Sequence, residues 1–261
     1  MTTTNGRQPS GAWRTTMVAL GACALGACGS SEVAGPQTTA AEAAGPESSA
    51  AALAQDSRHN PNPALFPKNA RPYGRSLEFW SEQWWRWIYS VPAANNPFLH
   101  PGLDSNQGQS GPVFFLVAGD RTNTVPRHRA IAVLPSSIAT LYPCPDPTFV
   151  PAPGQSLFDF LISSILPAHN AVVEVDATLD GQPLTDLLSY QATSDDLTFV
   201  VGDLSLQTDF DNCITGAPQP AVASSFIFII KPLEPGMHVL TTKVVNQAGR
   251  VFTHTQNLDV Q

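Results

Sequence analysis

Val222-Ala223-Ser224-Ser225-Phe226-Ile227-Phe228-Ile229-Ile230-Lys231 is followed by Pro235-Gly236, an extended stretch from His238 to Asn246, the pair Ala248-Gly249, and a last stretch from Arg250 to Val260. An apolar run bounded by turn residues reads as a buried strand, and the two stretches after it read as its antiparallel continuation. Two or three strands in a meander are how β-sandwich domains often close. Working towards the N-terminus, Ala171, Val173, Val175, Ala177 and Leu179 alternate with Glu174, Asp176 and Thr178, and Asp180-Gly181 then turns the chain. Leu197 to Val201, Pro112 to Ala118 and Arg129 to Leu134 are further short strands. Two helices interrupt this pattern. Ser76 to Val91 has Ser76 as a cap, Glu78 in its first turn and Pro92 as a stop. Leu157 to Leu166 is capped by Ser156 and ended by Pro167. The expected fold is mainly β, an antiparallel β-sandwich-like domain with an N-terminal Trp-rich helix and one further short helix.

Thirteen per cent of residues are charged, the net charge is −8, and there are 24 prolines and 18 glycines. No cluster of Lys and Arg occurs, which argues against a nucleic-acid partner. Residues 76 to 261 carry no apolar run of membrane-spanning length.

The N-terminus carries a different signal. Arg7 and Arg14 precede a short apolar run, Thr15 to Ala27, that ends Leu25-Gly26-Ala27-Cys28. The run is too short to cross a bilayer and reads as an export signal. Its ending resembles the lipobox of bacterial lipoproteins, in which the cysteine is acylated and becomes the mature N-terminus. A second match, Leu20 to Cys23, would leave an apolar core at the low limit for a signal, whereas Cys28 leaves a comfortable length, so Cys28 is the expected lipidation site. The organisation that follows is a signal peptide over 1–27, a tether over 28–58 and a single β-rich domain over 59–261. The tether is Ala, Ser, Thr, Gly and Pro with few charges, and cannot bury enough apolar surface to fold. The resemblance implies an exported, membrane-anchored lipoprotein. Gly29 rather than Asp after the cysteine leans towards the outer membrane or cell surface.

The tryptophan helix is the best candidate site. At about 100° per residue, Leu77, Trp80, Trp84, Trp87, Ile88 and Val91 share one stripe and are expected to be core. Trp85 and Tyr89 lie beside the stripe. They are either buried by the Pro-rich 92–112 loop or form an aromatic platform for a sugar or peptide, with Glu82, Asn96 or Gln109 as polar neighbours. Glu82 and Arg86, four apart, are expected to pair on the solvent side.

Other chemistry is sparse. His59, His100, His128, His169, His238 and His254 are scattered, with no His-x-x-x-His pair, so no metal is expected. His238 and His254 fall on the terminal strands and could face each other. No nucleophile elbow, Walker or dinucleotide pattern is present, so no cofactor is expected. Glu82 with Asp104 is the one carboxylate pair that could serve a glycoside hydrolase. With Cys23 removed and Cys28 acylated, Cys144 and Cys213 remain. They are expected to pair in an oxidising compartment, the alternative being a thiol nucleophile.

Trp80-Ser81-Glu82-Gln83-Trp84-Trp85-Arg86-Trp87, Val91-Pro92, Asn96-Pro97 and Gln109-Ser110-Gly111-Pro112-Val113-Phe114-Phe115-Leu116-Val117-Ala118-Gly119 resemble a family of exported bacterial proteins without assigned function. Lys231 to His238 resembles that family's proline-rich hairpin. The family carries a cysteine shortly before and another after the Gln-Ser-Gly block. Asp104 to Gln107 and Arg121 to Val125 have none, which fits loss of one disulfide. The resemblance implies location and architecture but no reaction. The expected function is a lipid-anchored envelope module, binding or structural rather than enzymatic. Its partners would be the membrane through Cys28 and an envelope glycan, peptide or protein. A hydrolase using Glu82 and Asp104 is the alternative.

Overall fold

A computed structural model describes residues 62–261. The signal peptide, Cys23, Cys28 and the tether lie outside the described residues.

Helix α1 (Leu77–Ser90) starts where the Ser76 Oγ accepts the Phe79 N–H at 3.4 Å, and its C-cap residue Val91 is extended, as a residue before proline prefers. Helix α2 (Leu157–Asn170) starts at a capping pair: Ser156 Oγ accepts the Asp159 N–H at 3.1 Å and donates to its carboxylate at 2.7 Å. It does not stop at Pro167 but continues through it to Asn170. The bond lost to proline is the one to the Ser163 carbonyl, and Ser163 is exposed, so water can take its place.

Ten strands follow the expected β-rich order: β1 (Val113–Phe115), β2 (Arg121–Val125), β3 (Ala130–Leu141), β4 (Val172–Leu179), β5 (Gln182–Leu184), β6 (Gln191–Thr193), β7 (Thr198–Val200), β8 (Gln219–Ile230), β9 (Gly236–Asn246) and β10 (Val251–Val260). They form two five-stranded sheets packed together. Sheet A has the order β1-β3-β8-β6, with β7 also on β8; sheet B has the order β2-β10-β9-β4-β5. Pairing is antiparallel except β1 on β3 and β2 on β10, so both sheets are mixed. The two parallel pairs join segments distant in sequence or joined by a crossover, which local pattern does not report.

Three local features shift the expected register. β3 runs past Pro135 to Leu141, because a bulge between Val133 and Ser136 accommodates the proline. That bulge moves Ser137 onto the face of sheet A that carries Ser225 and leaves Ile138 on the face of Val222. In β4 an irregularity between Val172 and Glu174 leaves Val173 exposed, while Val175, Ala177 and Leu179 stay inside. The Lys231-to-Pro235 segment is not a hairpin: it carries the chain from β8 in sheet A to β9 in sheet B. Within the meander, β9 and β10 pair antiparallel as expected.

The layers follow from strand alternation. Ser225 meets α1 through Ser81, at 2.6 Å between the hydroxyls, whereas Phe226 stacks on His169 of α2 at 4.5 Å between rings. So α1 covers one face of sheet A, and α2 covers the other, where it also touches β4 of sheet B. The core is continuous from the α1 tryptophans through β8 to Leu240 and Leu258. Cys144 and Cys213 are disulfide-bonded, tying the exit of β3 to the segment entering β8.

Candidate functional site

The α1 tryptophans are all buried, and each indole N–H donates to a fixed acceptor. Trp80 reaches the Pro72 carbonyl at 3.2 Å, Trp84 the Leu116 carbonyl at 2.8 Å and Trp87 the Gln107 carbonyl at 2.7 Å. Trp87 also stacks on Phe115 of β1, at 5.9 Å between centroids. A buried indole requires such a partner; the acceptors of Trp84 and Trp87 lie on the two sides of β1, and that of Trp80 lies ahead of α1.

Trp85 and Tyr89, the candidate platform, are 8% and 2% exposed. Their hydrogen-bond partners come from β3 and the 203–214 segment. Trp85 Nε1–H donates to Ser137 Oγ at 2.8 Å, made reachable by the β3 bulge, and Tyr89 donates to Asp211 Oδ2 at 2.7 Å with its ring edge-on to Phe210. Ser137 is joined to Ser225 at 2.5 Å and through it to Ser81. Burial, then the Asp211 charge and its hydrogen bond, hold the Tyr89 phenol well above its ordinary pKa. In this arrangement the two aromatic rings fasten α1 to β3 and to the 203–214 segment.

The polar neighbours are bound to backbone. Asn96 is fully buried; its Nδ2 donates to the carbonyls of Ile88 at 2.8 Å and Val91 at 3.1 Å, and its Oδ1 accepts the Phe98 N–H. It satisfies the carbonyls that the end of α1 leaves open. The Gln109 amide accepts the Phe115 N–H at 2.6 Å and donates to the Phe115 carbonyl at 2.8 Å, as a neighbouring strand would. Asp104 accepts the Thr124 N–H at 2.8 Å, and the Ser105 N–H donates to Asn123 Oδ1 at 2.9 Å. Residues 104–105 and 123–124 therefore lie side by side, joined by hydrogen bonds.

Glu82 and Asp104 are not brought together. Asp104 is bound to β2 of sheet B. Glu82 is half-buried against the β6–β7 side of sheet A and accepts Ser194 Oγ at 3.0 Å. Burial raises its carboxyl pKa, opposed by hydrogen bonds from Ser194 and Thr198 and by the Arg86 charge. Arg86 donates to Thr198 Oγ1, so Glu82 and Arg86 both engage β6–β7 side chains and are not the free solvent couple expected. Among the described residues Glu82 and Asp104 share no hydrogen-bond partner, and the carboxylate whose charge acts on Glu82 is Asp195.

Arg121 was missed by sequence reading. It is 6% exposed and donates to the carbonyls of Pro97, Leu103 and Ala118. Burial lowers its pKa, and the nearby Asp104 charge opposes this. Gly119 is required beside it: φ is +133°, and a Cβ there would lie 2.8 Å from Arg121 Nη2.

His238 and His254 do not face each other; their cross-strand partners are Leu258 and Thr242. His238 instead holds Asp180 Oδ2 through Nδ1 at 2.7 Å and the Glu234 carbonyl through Nε2 at 2.9 Å. Both contacts are to acceptors, so imidazolium satisfies them and neutral imidazole does not. Burial alone would lower the His238 pKa, but the Asp180 bond, the Glu234 carbonyl and the Asp180 charge raise it. Among the described residues no group of three or more His, Cys, Asp or Glu is placed to hold a metal ion. No helix among them is long and apolar enough to cross a membrane.

The chain matches no protein-family model. No curated protein matches it. One solved structure, described as the solution structure of amebosin, matches at 9% identity over 58% of this chain and 100% of that one; at a TM-score of 0.20 it shares no fold from which an argument can be made.

Proposed function

We propose that this chain is a lipid-anchored cell-envelope module, acylated at Cys28, that acts as a binding or structural part rather than as an enzyme. The observation that carries the non-enzymatic reading is the engagement of the signature residues. Trp80, Trp84, Trp87, Asn96, Asp104 and Gln109 each hydrogen-bond a backbone group. Side chains fixed in this way hold α1, β1 and β2 in place and leave little for substrate. The lipobox-like Leu25-Gly26-Ala27-Cys28 supports the anchor, and the disulfide fits an oxidising compartment. The likeness to exported proteins of unassigned function is part of the same proposal.

The test is metabolic labelling of the full chain with an alkyne fatty acid in a diderm bacterium. The chain should carry label and sediment with the outer membrane. Cys28→Ala should lose both properties and Cys23→Ala should keep them. An unlabelled wild-type chain, or label retained in Cys28→Ala, would overturn the proposal.

A further inference from the structure

We infer that the β6–β7 edge of sheet A is a docking site that receives an extended, basic-flanked peptide segment of a partner protein as an added strand. This goes beyond the anchored-module reading and does not depend on where the chain resides.

The backbone directions follow from the hydrogen bonds around β8. In an antiparallel ladder, successive residues point their N–H and C=O alternately towards and away from a given neighbour. Pro220 accepts the Tyr142 N–H, so its carbonyl points to the β3 side, away from β7. Phe199 is the residue paired with Pro220, and its own N–H and C=O therefore point away from β8. The same reasoning applies to β6. Tyr190 accepts the Ile227 N–H and Ser194 donates to the Ala223 carbonyl, so these two residues face β8. Gln191 and Thr193, next to them, point outwards. Among the described residues, no hydrogen bond to the main chain of Gln191, Thr193 or Phe199 occurs on that side.

An open edge of this kind is a template for another strand. Its side chains favour one. Phe199 and Val201 are 57% and 51% exposed, while Thr198 and Val200, alternating with them, face inwards. A strand laid on β7 would place an apolar residue against Phe199 and Val201.

Charge selects the occupant. Asp195 and Asp196 are exposed between β6 and β7, and Asp203 follows β7. The Arg86 guanidinium, on α1, is bonded to the inward-facing Thr198. A second copy pairing antiparallel about Phe199 would set Asp195 of one chain across from Asp203 of the other, which like charges disfavour. An incoming segment with Lys or Arg on both sides of an alternating apolar core meets the same aspartates favourably.

The experiment uses the full-length chain and two synthetic peptides, acetyl-KKTVTVTKK-amide and acetyl-EETVTVTEE-amide, with amide hydrogen exchange as the readout. The basic peptide should slow exchange at Phe199 and Thr193 at least tenfold, and the acidic peptide should not. Phe199→Pro removes an N–H that no internal bond uses and should weaken binding at least tenfold. Should that variant fold poorly, Asp195→Lys with Asp196→Lys decides instead, by reversing the preference between peptides. Protection by neither peptide, equal protection by both, or protection located elsewhere would overturn the inference. Protection that grows with protein concentration alone and disappears in Phe199→Pro would assign the edge to a second copy and overturn it as well. A chain that fails to acquire lipid leaves every one of these readouts intact, so the two proposals fail separately.

Discussion

At the β1 edge of sheet A, the Gln109 amide pairs with the Phe115 backbone, Arg129 reaches the Ser110 and Val113 carbonyls, and Trp84 and Trp87 close over the segment from α1. At the opposite edge, Phe199 presents unpaired backbone and an exposed ring. A sheet edge is a hazard unless covered, charged or used. One edge here is covered by side chains that imitate a strand; the other is flanked by aspartates and left open. The contrast shows that several of the residues most conspicuous in the sequence, Trp84, Trp87 and Gln109, serve the sealed side. The open side is built from residues that attract no notice in the sequence.

Substitutions on the two sides should therefore separate sharply. Trp84→Ala removes a buried indole and strands the Leu116 carbonyl, and should lower unfolding free energy by about 3–5 kcal/mol in urea titrations. Replacing Cys144 and Cys213 together by serine releases the link between β3 and the entry to β8. It should lower stability by about 2–4 kcal/mol, and the effect should vanish when wild type is measured under reducing conditions. Gln109→Ala unpairs the Phe115 backbone and should reduce stability by about 1–3 kcal/mol, with faster amide exchange confined to β1. Phe199→Lys, on the open edge, should shift the urea midpoint by no more than about 0.5 kcal/mol equivalent. A large loss there would mean that the edge is covered after all. Intrinsic fluorescence gives a check on the sealed side: emission from α1 should be blue and resist acrylamide.

Two histidines sharpen the comparison by opposite signs. His169 stands behind β6, stacked on Phe226, with Nε2 at 3.5 Å from Gln191 Oε1; burial lowers its pKa from 6.5, with the Gln191 bond opposing. Its contribution is present above pH 6.5 and is lost as pH falls through the lowered value. His238, at the crossover between the sheets, has a pKa raised from 6.5. Its contribution is present below pH 6.5 and is lost as pH rises through the raised value. Stability profiles between pH 5 and 8 should thus lose their acid-side slope in His169→Phe and their alkaline-side slope in His238→Gln. Slopes that change in the same direction would contradict this assignment.

Much of the local structure was legible in the sequence. Ser76 and Pro92 bracket α1, the stripe through Trp80, Trp84 and Trp87 faces inwards, and the β9–β10 hairpin follows its turn residues. The misreadings have specific causes. Pro135 reads as the end of a strand but sits in a bulge, and Pro167 reads as a helix stop but lies opposite an exposed carbonyl. Trp85 and Tyr89 read as surplus because periodicity describes one contact face, whereas α1 has a second one against β3 and Phe210. Asn96 and Gln109 read as polar neighbours of a ligand and Asp104 as a candidate catalytic carboxylate; polar residue type does not reveal that each also bonds the main chain.

Residue pattern by itself determined the β-rich class and the two helices with their caps. These depend on propensity and on periods of two or 3.6 residues, which act over a few neighbours. The tertiary structure alone decided that β1 and β2 pair in parallel with distant strands, that β8 and β9 belong to different sheets, and that one edge of sheet A is sealed while the other is open. Those outcomes depend on which backbone groups meet across long separations in the chain, and the residue pattern of a single segment carries no record of its partner.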